Sequence, residues 1–124
     1  AFNNDGNKMI SISDDLSLIL YQHNLNHNLN QIGAWNVINT YKKVHNRSIY
    51  CISWLDDYII TGSGDNMINI SSLDNNQLIN RLNLTSAHGG DINSIQLFKE
   101  NENNYYVLSA SDDEIIKLWQ IIED

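Results

Sequence analysis

The chain is 124 residues long and 42% hydrophobic, with 7 Lys+Arg against 15 Asp+Glu and a formal net charge of −8. That length suits one small domain with a packed core, and the acid excess argues against a nucleic-acid partner, which needs a basic stripe to displace counterions. No apolar run approaches the ~18–20 residues of a membrane span, and the opening AFNNDGNKMI lacks a signal-peptide pattern. The single cysteine, Cys51, supplies neither an internal disulfide nor a four-thiolate iron–sulfur or zinc site, so no cofactor is expected.

Taken in chain order, short runs rich in Ile, Leu, Tyr and Trp alternate with Asn, Asp, Ser and Gly clusters, the pattern of strands and turns. Strands are expected near 8–13, 16–21 and 34–40, then near 48–54, 58–63, 67–71 and 77–83, and finally near 92–98, 105–110 and 115–121. The stretch 22–33 (QHNLNHNLNQIG) reads as a long polar connection. Gly64-Asp65-Asn66 and Asp112-Asp113-Glu114 read as hairpin turns, because Asp, Asn and Gly tolerate the left-handed backbone such turns use. No amphipathic helix is visible. The fold class is all-β.

An internal repeat organises these elements. Met9–Asp15 (MISISDD), Ile59–Asp65 (IITGSGD) and Val107–Asp113 (VLSASDD) each run from an apolar pair through small residues to an Asp. Six residues beyond each Asp stand Tyr21, Ser71 and Trp119. His45 precedes Ile49, Ile52 and Trp54, just as His88 precedes Ile92, Ile95 and Leu97. The two later Asp residues lie 48 positions apart, near the ~40–45 of a WD repeat.

These residues resemble the WD-repeat β-propeller family over nearly the whole chain. The resemblance implies a partial β-propeller of about three blades from a seven-bladed ring, with approximate repeats 1–21 (partial), 34–71 and 77–122 and the loop 22–33. A complete ring at this period needs roughly 300 residues, so the expectation is the C-terminal part of one propeller, a piece of a longer chain. Two open sheet edges then make the isolated segment marginal or insoluble.

The Ser–His–Asp combination of His88, Asp113 and Ser109 or Ser111 invites a catalytic reading. The repeat argues otherwise: His45, Thr61 and Asp65 reproduce the set, which one active site does not require. In the WD pattern His45, Thr61, Asp65, His88, Ser109, Asp113 and Trp119 form structural hydrogen-bond networks, and no catalytic residue is expected. Ser71 stands where the family carries Trp and cannot fill that volume, so its blade is expected to be held less tightly; Tyr21 keeps an aromatic wall and an O–H.

His23 and His27 have the i, i+4 spacing of a helical metal pair, but no helix is expected there to hold them, and no metal site is proposed. Asparagine occupies 20 positions and isoleucine 18. That bias makes the glycosylation triplets at Asn46, Asn69 and Asn83 chance matches. Within the family, residues before the structural Asp and around the start of the innermost strand rim the top face and contact partners. Here they are Asp14, Asp112, Asn46, Ser48 and Asp91, with Gly64 and Gly89, and Arg47 is the lone cation beside them.

A narrower resemblance lies in Trp35–Tyr41 followed by His45–Trp54 (HNRSIYCISW), then Ala87–Ile95 and the ending Ser111–Trp119. These are similar to late repeats of the WD-repeat propellers of the cytosolic iron–sulfur protein assembly machinery. The resemblance implies a non-catalytic adaptor in the cytoplasm and also the nucleus. Such an adaptor docks cluster-targeting factors and client apoproteins, with no nucleic-acid or membrane partner. The alternative is a WD-repeat adaptor of another complex, one that reads peptides or scaffolds a ubiquitin ligase or RNA processing.

Overall fold

A computed structural model describes residues 1–23 and 35–122. Among these the secondary structure is ten strands: β1 (Lys8–Ile12), β2 (Leu18–His23), β3 (Trp35–Tyr41), β4 (Ile49–Leu55), β5 (Tyr58–Ser63), β6 (Ile68–Asp74), β7 (Gln77–Leu84), β8 (Ile92–Asn101), β9 (Asn104–Ser111) and β10 (Ile116–Ile121). They form three antiparallel sheets, ordered β1-β2-β3, β4-β5-β6-β7 and β8-β9-β10. Before β1, Ala1 and Phe2 already pair with the sheet: Phe2 bridges Met9, and Ala1 exchanges hydrogen bonds with Ile10. This is a partial β-propeller.

The burial pattern follows from the stacking of sheets. The four-stranded sheet is covered on both faces, so all of β5 and the first five residues of β6 are buried. Their sequences, YIITGS and INISS, therefore read as continuous apolar and small residues rather than alternation. One core joins Ile10, Leu18 and Leu20 of the first sheet to Ile49 and Ile59 of the second. Another joins Cys51, Ile60, Ile68 and Ile70 to Ile92, Ile95, Leu97 and Val107 of the third. By contrast β10 alternates strictly. Its Ile116 and Leu118 share an exposed apolar face with Leu108 and Phe98, and Phe98 stacks on Tyr106.

Glycine is required at one contact between sheets. A Cβ on Gly62 would stand 2.6 Å from Ile92 Cγ2 and 2.7 Å from Cys51 Sγ, closer than packed atoms allow.

Two readings of the sequence are corrected. Gln22 and His23 belong to β2 rather than to a loop, and His23 packs edge-on against the Trp35 ring, with 5.1 Å between centroids. The remainder of the expected connection, with His27, lies outside the described residues. The hairpins also place Leu16 and Glu114, not only Asn66, at left-handed φ (71°, 68° and 66°). The reason is that side chains hold these turns. Ser13, Ser63 and Ser111 hydroxyls accept the amides of Asp15, Asp65 and Asp113, whose carboxylates accept the amides of Ser17, Met67 and Ile115. With both ends of the turn fixed, an ordinary residue tolerates the strained φ.

Candidate functional site

The buried polar groups assemble at the turn end of each sheet. In the third, His88 Nδ1 lies 2.9 Å from Asp113 Oδ2, and His88 Nε2 lies 2.7 Å from Ser109 Oγ. Trp119 Nε1 lies 3.0 Å from the same hydroxyl. An indole N–H only donates, so Ser109 Oγ accepts from Trp119, while the Asp113 carboxylate accepts from His88 Nδ1–H. Ser109 is fully buried and His88 almost so; no substrate atom reaches the hydroxyl.

The second sheet repeats this with His45, Asp65 and Thr61: Nδ1 is 3.0 Å from Asp65 Oδ2 and Nε2 2.8 Å from Thr61 Oγ1. Burial lowers the His45 pKa, opposed by the Asp65 charge and hydrogen bond, which keeps the ring neutral and lets Nε2 accept from Thr61. Trp119 itself is only half-buried, because β10 is an edge strand. In the first sheet Ser11 Oγ reaches the Tyr21 hydroxyl at 3.4 Å, and the Asp15 carboxylate turns to Ser17.

Desolvation opposes ionisation of Asp113, yet the amides of Gly89 and Ile115 and the His88 ring together outweigh it and bring its pKa to about 2. A second carboxylate is held as low by a different device. Asp56, in the β4–β5 turn, accepts from Lys99 Nζ (2.9 Å), Tyr105 Oη (2.6 Å) and Asn4 Nδ2 (2.5 Å), one clamp joining the turn before β1 to the second and third sheets. Those three bonds, Lys99 first, bring its pKa to about 2.

The sign of the pH dependence follows. Asp56 and Asp113 are depressed below the ordinary 3.8, so their contribution is present above about pH 4 and disappears as pH falls toward 2. His45 is depressed below the ordinary 6.5, so the unfolded state takes up its proton first and stability declines as pH drops below about 6.5. Melting temperature measured against pH is expected to fall in these two stages, and His45→Gln is expected to remove much of the upper one.

The rim residues surround the upper ends of these networks. Asn46 N donates to Asp65 Oδ2 at 2.9 Å, the Arg47 carbonyl accepts from Ser63 Oγ, and the Ser48 carbonyl accepts from Gly64 N. The Arg47 side chain itself is exposed. Asp91 accepts the Asp112 amide through its carbonyl, and Asp112 Oδ1 accepts from Asn93 Nδ2 at 2.5 Å. Asp14 is exposed at its turn.

Sequence reasoning missed two neighbours on this rim. Tyr50 and Asn93 sit where the pairing register shifts at the start of β4 and β8, and such bulges re-aim a side chain. Tyr50 is turned outward over Gly64, about half-exposed. Among the described residues, no group of three or more His, Cys, Asp or Glu converges as a metal site. Cys51 is buried, its thiol raised to about 11 by that burial, and its Sγ faces the Ile92 carbonyl.

The family description "WD domain, G-beta repeat" matches residues 35–70 and 79–120. The chain belongs to the WD40 family. These two WD40 segments contain both complete His–Asp pairs. Over 98 residues the chain is 35% identical to "Protein CIA1" of Arabidopsis thaliana, covering 73% of this chain and 28% of that protein. It is also 26% identical to the "Probable cytosolic iron-sulfur protein assembly protein CIAO1 homolog" of Caenorhabditis elegans, covering 98% of this chain and 38% of the relative. The chain thus spans well under half the length of these relatives. The crystal structure of the computationally designed Ika4 protein superposes with a TM-score of 0.66 at 21% identity, covering 93% of this chain and 61% of that one, which shows a shared fold.

Proposed function

We propose that this WD40 chain is part of a non-catalytic scaffold that acts in cytosolic iron–sulfur protein assembly, docking proteins that deliver clusters to cytoplasmic and nuclear apoproteins. The observation that carries this reading is the similarity to relatives named as probable cytosolic iron–sulfur protein assembly proteins, which extends at 26% identity across nearly the whole chain. The buried state of Ser109 and His88 supports a structural rather than catalytic use of the Ser–His–Asp set. A high thiol pKa at Cys51 fits a propeller that holds no cluster itself.

The mechanism is display. Rigid sheets fix the short turns that carry Asn46, Arg47, Ser48, Asp14, Asp91 and Asp112, so several partners meet preset surfaces. Arg47 is exposed, as is the ring of Tyr50 three positions on, and both residue types are enriched among interface anchors. Affinity purification of the tagged full-length protein from its own cells, with mass spectrometry of what co-purifies, tests this. Iron–sulfur assembly proteins and their clients are the expected catch, and Arg47→Glu is expected to reduce it about tenfold or more without changing the melting temperature. Recovery of an unrelated complex would replace the reading with that of another WD40 adaptor.

A further inference from the structure

Ser71 faces Ile59 across the β5–β6 ladder, as Trp119 faces Val107 across β9–β10. Where the indole of Trp119 occupies space and donates to Ser109, Ser71 is small and turns aside, its hydroxyl 2.5 Å from Asn69 Oδ1. A cavity of about 390 Å³ opens at this position, between the β3–β4 connection and the outer strands of the second sheet. It lies on the opposite side of that sheet from its core with the third. Its size falls in the range of small-molecule sites.

The polar lining has one sense. Asn69, nearly fully buried, spends both amide protons on the side-chain oxygens of Asn80 (2.9 Å) and Asn83 (2.6 Å), and its own oxygen takes the Ser71 proton. The oxygens of Asn80 and Asn83 are therefore used by Asn69, and their NH₂ groups make no hydrogen bond among the described residues, so both remain free to donate to a ligand in the cavity they line. Lys42 and Lys43 line the opposite wall, and no carboxylate lines either. Lys43 makes no ion pair among the described residues. Lys42 shares its charge with Asp15. The remaining wall, Tyr41, Val44 and Leu78, is apolar. The net charge of −8 is spread over the chain, and beyond about 8 Å salt screens it; the local balance of donors decides the sign of the ligand.

We propose that this cavity binds a small organic phosphate monoester, its oxyanion held between the Lys42 and Lys43 ammoniums and the Asn80 and Asn83 amides, its organic part against Val44 and Leu78. Two ammoniums match the ~1.5–2 negative charges of a phosphate monoester better than the single charge of a carboxylate. The ligand would bridge the first two sheets at the place where an indole is missing. This site does not depend on the iron–sulfur reading.

Calorimetric titration of the full-length protein with phenyl phosphate, inorganic phosphate and benzoate tests it. Saturable millimolar or tighter binding of phenyl phosphate is expected, about tenfold weaker in Lys43→Ala, as for one lost charge-assisted bond. Ser71→Trp, which fills the cavity, is expected to abolish binding while raising the melting temperature; if it does not fold, Asn83→Leu, which removes a donor from the exposed edge, replaces it. No saturable binding, or binding unchanged in Ser71→Trp or Asn83→Leu, would overturn the site. Benzoate binding as tightly would overturn the phosphate assignment, and inorganic phosphate binding as tightly would overturn the organic one.

Discussion

His88→Ala is expected to destabilise the protein by about 2–4 kcal/mol, the combined effect of a cavity and of two buried partners left unpaired. The ring is nearly fully buried, and its loss removes one hydrogen-bond partner from Ser109 and one from Asp113. Urea unfolding of the full-length protein reads the effect directly. Because Ser109 is sealed from solvent, the variant should change stability and leave no hydrolytic activity to lose. An esterase activity in the wild-type protein that vanished in a still-folded His88→Ala variant would contradict the structural assignment.

The interface between the second and third sheets supports the other large effect. Ile92 is fully buried above Gly62 and Cys51, so Ile92→Ala is expected to cost about 2–5 kcal/mol, the range for truncating a core aliphatic. Gly62→Ala drives a methyl group into Ile92 and Cys51 and is expected to cost about 1–3 kcal/mol by overpacking. The two sites share one contact, so the double variant should cost less than the sum, the new methyl filling part of the space that Ile92 vacates. Additivity within about 0.5 kcal/mol would show that the contact does not carry the interface.

Much of this architecture was legible because it is local. Period-two alternation and Asp-containing turns placed the strand ends within a few residues, and the repeated His–Thr/Ser–Asp spacing predicted groups that do meet at 2.7–3.0 Å. The Asp56 clamp was not legible. Its partners Lys99, Tyr105 and Asn4 stand 43, 49 and 52 positions away, and only the stacking of sheets brings them together. The Asn69 ladder was hidden for another reason: in a chain with 20 asparagines, three that converge look like any others.

His23 was misread because polar residues run through it into the following stretch, whereas its packing on Trp35 comes from a strand across the sheet. The outward turn of Tyr50 depends on a one-residue register shift, which no alternation pattern announces. Among the expected rim positions, the Asp112 side chain is already hydrogen-bonded within the fold, whereas Asn46 is held through its backbone amide. Asn46, Arg47 and Tyr50 are all exposed.

The most direct test of the scaffold reading is depletion of the full-length protein in its own cells, followed by assay of iron–sulfur enzymes in cytosol and mitochondria. Cytosolic iron–sulfur enzyme activities are expected to fall while mitochondrial ones persist, and a resupplied Cys51→Ala variant is expected to restore them. Undiminished cytosolic iron–sulfur activity after depletion would contradict the scaffold reading.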